Sequence, residues 1–130
     1  MANLINWLEI PVSDMGRAKM FYEQVLKARI ELDDQTAPGL KMGMIFTEGM
    51  GLKDIGGALV EGKGYNPGES NTLIYLNANE TGGCETFLER VEKSGGSVTM
   101  QVFEISPEIG FCGFFTDCEG NRMAVHSSIN

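Results

Sequence analysis

The sequence predicts an α+β fold built from two tandem β-α-β-β-β units. Three observations carry that prediction. The chain has 130 residues, enough for one domain with a real core and too few for two independent ones. Two segments with helical apolar spacing each follow one strand-like segment and precede three more. One constant offset also carries Trp7 onto Leu73, Phe21 onto Phe87, Val25 onto Val91, Ala58 onto Ala124 and Val60 onto His126. An offset that aligns both ends of a unit favours internal duplication over chance. The units span about 3–62 and 70–128 of a single domain.

The elements follow in order. "LINWLEIPV" alternates like a strand, and Ser13 or Asp14 offers a helix N-cap. Ala18, Phe21, Tyr22, Val25 and Leu26 then form one apolar stripe facing a sheet. "RIEL", "KMGMIF" and "GGALV" are short strands, and "EGKGYNPGESN" is a connector. The pattern restarts with the strand "TLIYLNA" and a helix in "NETGGCETFLERVEKSGG", where Cys84, Phe87, Leu88 and Val91 make the stripe and Gly95 stops it. "SVTMQVFEI", "GFCGFFT" and "RMAVHS" complete the second unit, with "DCEGN" as a tight turn before the last strand.

Composition narrows the function classes. Ten basic against eighteen acidic residues give a net charge of −8 with no basic cluster, which opposes nucleic acid and anionic membranes as partners. The N-terminal stretch "MANLINWLEIPVSD" meets acid and proline early and has the form of neither a signal peptide nor a membrane span. Cys84, Cys112 and Cys118 are odd in number and lack a C-x-x-C pair, so they read as reduced thiols of a cytoplasmic protein. Cys84 lies on an apolar stripe, and Cys118 is an incidental thiol in a turn. The glycines of "GGALVEGKGYNPG" do not lead a strand into a helix as a phosphate cradle requires. "EGMGLKD" has the glycine content of a hairpin that could border a cleft.

The opening "INWLEIPVSDMGRAKMFYEQVL" and the closing "FTDCEGNRMAVHS" resemble the vicinal oxygen chelate superfamily, which includes glyoxalase I, bleomycin-resistance proteins and extradiol dioxygenases. The resemblance covers nearly the whole chain and departs at Cys118, where the family usually has Pro. It implies a curled mixed sheet around a cleft with the helices outside, a homodimer, and in many members a divalent metal that chelates adjacent substrate oxygens.

The resemblance also implies where that metal's ligands would sit. Counting back seven residues from Asp14 gives Trp7, and from Glu80 gives Leu73; the last-strand position gives Ala124 and, at the same offset, Ala58. None of these side chains binds a metal. The chain's single histidine also rules out a two-His, one-carboxylate iron site within one chain. No cofactor is therefore expected, and a divalent metal, though still possible, is not supported by the ligand positions.

Strand alternation puts Glu9 on the face of Trp7, Tyr75 and Asn77 on the face of Leu73, and His126 on the face of Ala124. If the ligand positions point inward, the cleft holds Glu9, Tyr75, Asn77 and His126 against a wall of Trp7 with Met44, Phe46 or Phe115, a small-molecule site in form. Three readings stay open. One is a module binding a small organic molecule without the usual metal. Another is a metal-dependent lyase, isomerase or dioxygenase. The third is a metal-free acid–base enzyme in which Glu9 and His126 act as catalytic base and acid. His126 reads equally as a solvated strand end.

Overall fold

A computed structural model describes residues 4–51 and 54–130. The chain folds as β1 (Trp7–Pro11), α1 (Met15–Leu26), β2 (Ala28–Asp33), β3 (Lys41–Thr47), β4 (Gly56–Glu61), β5 (Tyr75–Asn77), α2 (Gly83–Lys93), β6 (Ser97–Ser106), β7 (Gly110–Thr116) and β8 (Arg122–Ser127). The expected β-α-β-β-β pattern is present twice. Each unit makes its own four-stranded mixed sheet, in the orders β1-β4-β3-β2 and β5-β8-β7-β6. In both, the first and last strands run parallel and the remaining pairs are antiparallel.

Local chemistry explains the boundaries. Asp14 caps α1 with its own carboxylate on the Arg17 N–H, while Ser13 is engaged by Glu119. α1 ends at Lys27, whose φ of 54° lies in the left-handed region usually left to glycine. The "DCEGN" turn is organised by Asp117, whose Oδ1 accepts from the Glu119 and Asn121 N–H groups. β5 is shorter than the predicted strand, although Ile74 and Ala78 extend its pairing with β8 through backbone bonds at 2.9 Å.

One face of each sheet packs on its helix, and α1 packs on α2. The helix-facing residues of both units merge into one core, including Ile10, Phe21, Tyr22, Leu59, Phe87, Phe115 and Val125. Polar contacts join the units as well. The enclosed Glu119 carboxylate accepts from the Ser13 N–H and Oγ, the Asp14 N–H and Arg17 Nη2. Buried Asp117 accepts from the Tyr22 hydroxyl, and Asn121 Nδ2 donates to the Pro11 carbonyl at 2.9 Å.

The opposite face of each sheet is left open. Among the described residues no strand of one sheet contacts a strand of the other. The curled sheet expected from the sequence is therefore two sheets within one chain. Apolar side chains are exposed on both open faces: Trp7 and Phe46 on the first, Tyr75, Met100 and Phe103 on the second. A membrane-spanning helix, long and apolar enough, is absent among the described residues.

Candidate ligand-binding site

Register fixes which side chains share the open face of the first sheet. Trp7 pairs with Gly56 and Glu9 with Ala58 across β1 and β4, and Ala58 pairs in turn with Met44 of β3. Gly56 has a specific use here. A Cβ at that position would stand 3.3 Å from Trp7 Cζ3 and 2.8 Å from Met50 Cε, so the missing side chain lets the indole and the thioether close over β4. Beside them Met42, Ala58 and Val60 form a small buried cluster with Leu40, Met44 and Tyr65 packed against it.

Glu9 is exposed beside this cluster and is ordered by two side-chain donors. Its Oε2 accepts from Trp7 Nε1 at 3.2 Å and its Oε1 from the Tyr65 hydroxyl at 2.8 Å. Donation to the carboxylate raises the Tyr65 phenol above its ordinary pKa, because losing the proton would set two negative oxygens side by side. Tyr65 is the residue that sequence reasoning missed. It lies in the stretch taken as a connector, held there by an isolated bridge between Gly62 and Tyr65. Its signal was present, since it is the one aromatic residue in an otherwise turn-forming run.

The other expected site residues lie on the second sheet. Tyr75 is half exposed and packs edge-on against Phe114 with ring centroids 6.1 Å apart. Asn77 Oδ1 accepts from the Asn79 N–H at 2.8 Å and from its side-chain amide at 2.9 Å. His126 Nε2 lies 2.7 Å from the Ile109 carbonyl oxygen. Glu9 and His126 are on strands that do not touch, and each ring or carboxylate has other partners. The acid–base pair is therefore not assembled within one chain.

Phe115, expected as a possible cleft wall, is instead buried in the core with its ring centroid 5.7 Å from that of Phe87. Alternation explains this: Phe115 pairs with Met123 on the helix side, and its neighbour Phe114 pairs with Ala124 on the open side. Met44 and Phe46 do lie on the open face of the first sheet. The "EGMGLKD" hairpin includes residues 52 and 53, which lie outside the described residues.

The cysteines carry no chemistry of the site. Cys84 is buried in the core. Burial, with Asp117 and Glu119 nearby, pushes the Cys118 thiol up to about 11, far from the range of a reactive thiolate.

A family model for the glyoxalase/bleomycin resistance protein/dioxygenase superfamily matches residues 4–125. The chain belongs to that superfamily. A relative from Didymella fabae described as a glyoxylase-like domain-containing protein is 29% identical over 93% of this chain and 91% of its own length. Among solved structures, a glyoxylase/bleomycin resistance protein/dioxygenase domain from Frankia sp. EAN1pec superposes with a TM-score of 0.70 at 15% identity, covering 97% of this chain and 98% of that one. The fosfomycin resistance protein FosX of Listeria monocytogenes gives 0.67 at 13% identity over 97% and 91%. The trypanothione-dependent glyoxalase I of Leishmania major gives 0.67 at 13% over 98% and 88%. At these identities the likeness is one of fold.

The superfamily's usual divalent metal does not fit the residues present. Trp7, Ala58, Leu73 and Ala124 occupy the positions that the family pattern gives to ligands, and Ala58 and Ala124 are fully buried. Among the described residues no three His, Cys, Asp or Glu side chains cluster closely enough to hold a metal ion.

Proposed function

We propose that this superfamily member binds a small organic molecule on the open face of its first sheet, with Glu9 as the polar anchor and Trp7 and Met44 as apolar walls. The observation that carries the reading is the exposed Glu9 carboxylate, held by two aromatic donors beside a small apolar cluster. Holding a long acidic side chain in one geometry costs rotamer entropy, and doing so beside exposed aromatic surface is the form of a ligand anchor. Binding without the family's metal fits the donor set. A cytoplasmic location fits three unpaired thiols.

The site takes its full form in a homodimer. Each open face exposes large apolar side chains that a single chain leaves in water. A second copy laid against the first sheet would contribute Tyr75, Asn77 and His126 from its own second sheet. That arrangement would also supply the one geometry in which His126 shares a cleft with Glu9. The chain then acts as a sequestering or sensing module.

A thermal-shift screen of small organic molecules tests the binding site. Compounds that raise the melting temperature of the wild type are expected to lose most of that effect in Trp7→Ala and Glu9→Gln, while His126→Ala weakens them only if the chain is dimeric by light scattering. Compounds that stabilise all variants equally would place binding elsewhere.

A further inference from the structure

The charge of Glu9 points to the class of molecule that this face accepts. Trp7 Nε1–H and the Tyr65 hydroxyl are neutral donors, so they order the carboxylate without cancelling its charge. They occupy about two of the roughly four lone-pair positions a carboxylate offers, which leaves acceptor capacity free. Elsewhere the described ion pairs join Glu119 to Arg17, Glu23 to Lys19, Glu31 to Arg29 and Glu61 to Lys41; Glu9 is in none of them.

The rest of the face has the same character. Arg29, Glu31 and Asp33 project from β2 on this side, since they pair with Phe46, Met44 and Met42. The one basic group among these, Arg29, is taken by Glu31 and lies over the Phe46 ring at 4.8 Å from its centroid. The face therefore already holds one cation on an aromatic ring beside a carboxylate. Trp7 and Glu9 repeat that pairing of aromatic ring and acid without an internal cation among the described residues. The indole is 44% exposed in the single chain.

We infer that the ligand is an organic cation: an ammonium or amidinium group carried on a small apolar or aromatic body. The positive group sits over the Trp7 indole within reach of Glu9, and the body extends over the neighbouring apolar side chains. An electron-rich indole attracts a cation over its face, and the adjacent carboxylate adds a charge-assisted hydrogen bond. An anion of the same shape meets repulsion from Glu9 and from a chain of net charge −8. The inference rests on the proposed binding site and narrows it to a chemical class.

Trp7 is the single tryptophan of the chain, so its fluorescence reports on this site alone. Three probes with one body and different heads separate the possibilities: 2-phenylethylammonium, 2-phenylethanol and 3-phenylpropionate. The full chain is titrated with each at neutral pH, as wild type and as Glu9→Gln, with circular dichroism to verify folding of the variant. The ammonium is expected to bind roughly tenfold more tightly than the alcohol, the sum expected of one exposed cation–π contact and one exposed ion pair. The carboxylate should bind more weakly than either. In Glu9→Gln the ammonium's advantage over the alcohol should shrink to the roughly two- to fivefold that the cation–π contact alone supplies, and added salt should narrow the gap in the wild type. Equal binding of alcohol and ammonium by the wild type, with Trp7 responding, would overturn the cation and keep the binding site. Tightest binding by the carboxylate would do the same. No response of Trp7 to any of the three would overturn both.

Discussion

Replacing Glu119 by Ala should destabilise the fold more than any other change to an acidic side chain near the protein surface. The carboxylate makes four contacts across the junction between the units: 2.7 Å to the Ser13 N–H, 2.6 Å to Ser13 Oγ, 3.2 Å to the Asp14 N–H and 2.7 Å to Arg17 Nη2. A hydrogen bond to a charged group contributes about 1.5–3 kcal/mol. Ser13, Asp14 and Arg17 are exposed, so water replaces part of what the variant loses, and the sum is discounted accordingly. The negative charge also stands beside the N-terminus of α1, where it favours the helix dipole. The expected loss is about 2–4 kcal/mol, which for a chain of this length lowers the melting temperature by roughly 6–15 °C. Glu119→Gln keeps an acceptor oxygen and drops the charge, so it should cost about half as much. Urea unfolding followed by circular dichroism measures both. A loss below about 1 kcal/mol for Glu119→Ala would refute the view that this side chain ties the units together.

The same residue sets a pH dependence. Burial alone would raise its pKa, but the bonds from Ser13 and Arg17 outweigh that and hold the carboxyl below its ordinary value. Its stabilisation is complete above the unfolded carboxyl's pKa near 4.3 and is lost as pH falls through the lower folded value. Acid unfolding of wild type should therefore be steeper below about pH 4.3 than that of Glu119→Ala. At buried Asp117, Tyr22→Phe removes one of four donors and should cost about 1 kcal/mol, whereas Asp117→Ala strands the whole turn and should cost about 3–5 kcal/mol by thermal melting. Gly57→Ala should cost about 2 kcal/mol or more in the same assay, because the added Cβ would stand 2.5 Å from the Leu8 carbonyl oxygen in the adjacent parallel strand.

The fold was largely legible because its signals are periodic. The stripes Ala18–Phe21–Tyr22–Val25 and Cys84–Phe87–Leu88–Val91 are all buried and face the sheets as the spacing requires. Asp117 and Gly120 announced the last turn, and Gly120 adopts a φ of 87° there. The site was legible in part. Glu9 was assigned to the face of Trp7 by alternation, which depends only on parity, whereas Met44 was one of three candidates for the wall. Phe115 was misassigned because two aromatics stand side by side in "GFCGFFT", and composition alone does not say which parity faces the helix. Tyr65 was missed because its position depends on a bridge between Gly62 and Tyr65 inside a connector, a contact that no periodicity encodes. The separation of Glu9 from His126 was also unreadable, since it depends on how two units pack rather than on either unit's pattern.

The central claim is that Glu9 and its aromatic partners form the working site of this superfamily member in place of a metal centre. The most direct test is a calorimetric titration of chelator-stripped protein with Mn(II), Fe(II), Ni(II) and Zn(II), run beside His126→Ala. No stoichiometric binding of any of the four is expected at micromolar concentration, in either protein. One-to-one binding in the micromolar range or tighter, lost in His126→Ala, would contradict the claim and return the chain to the metal-dependent members of its superfamily.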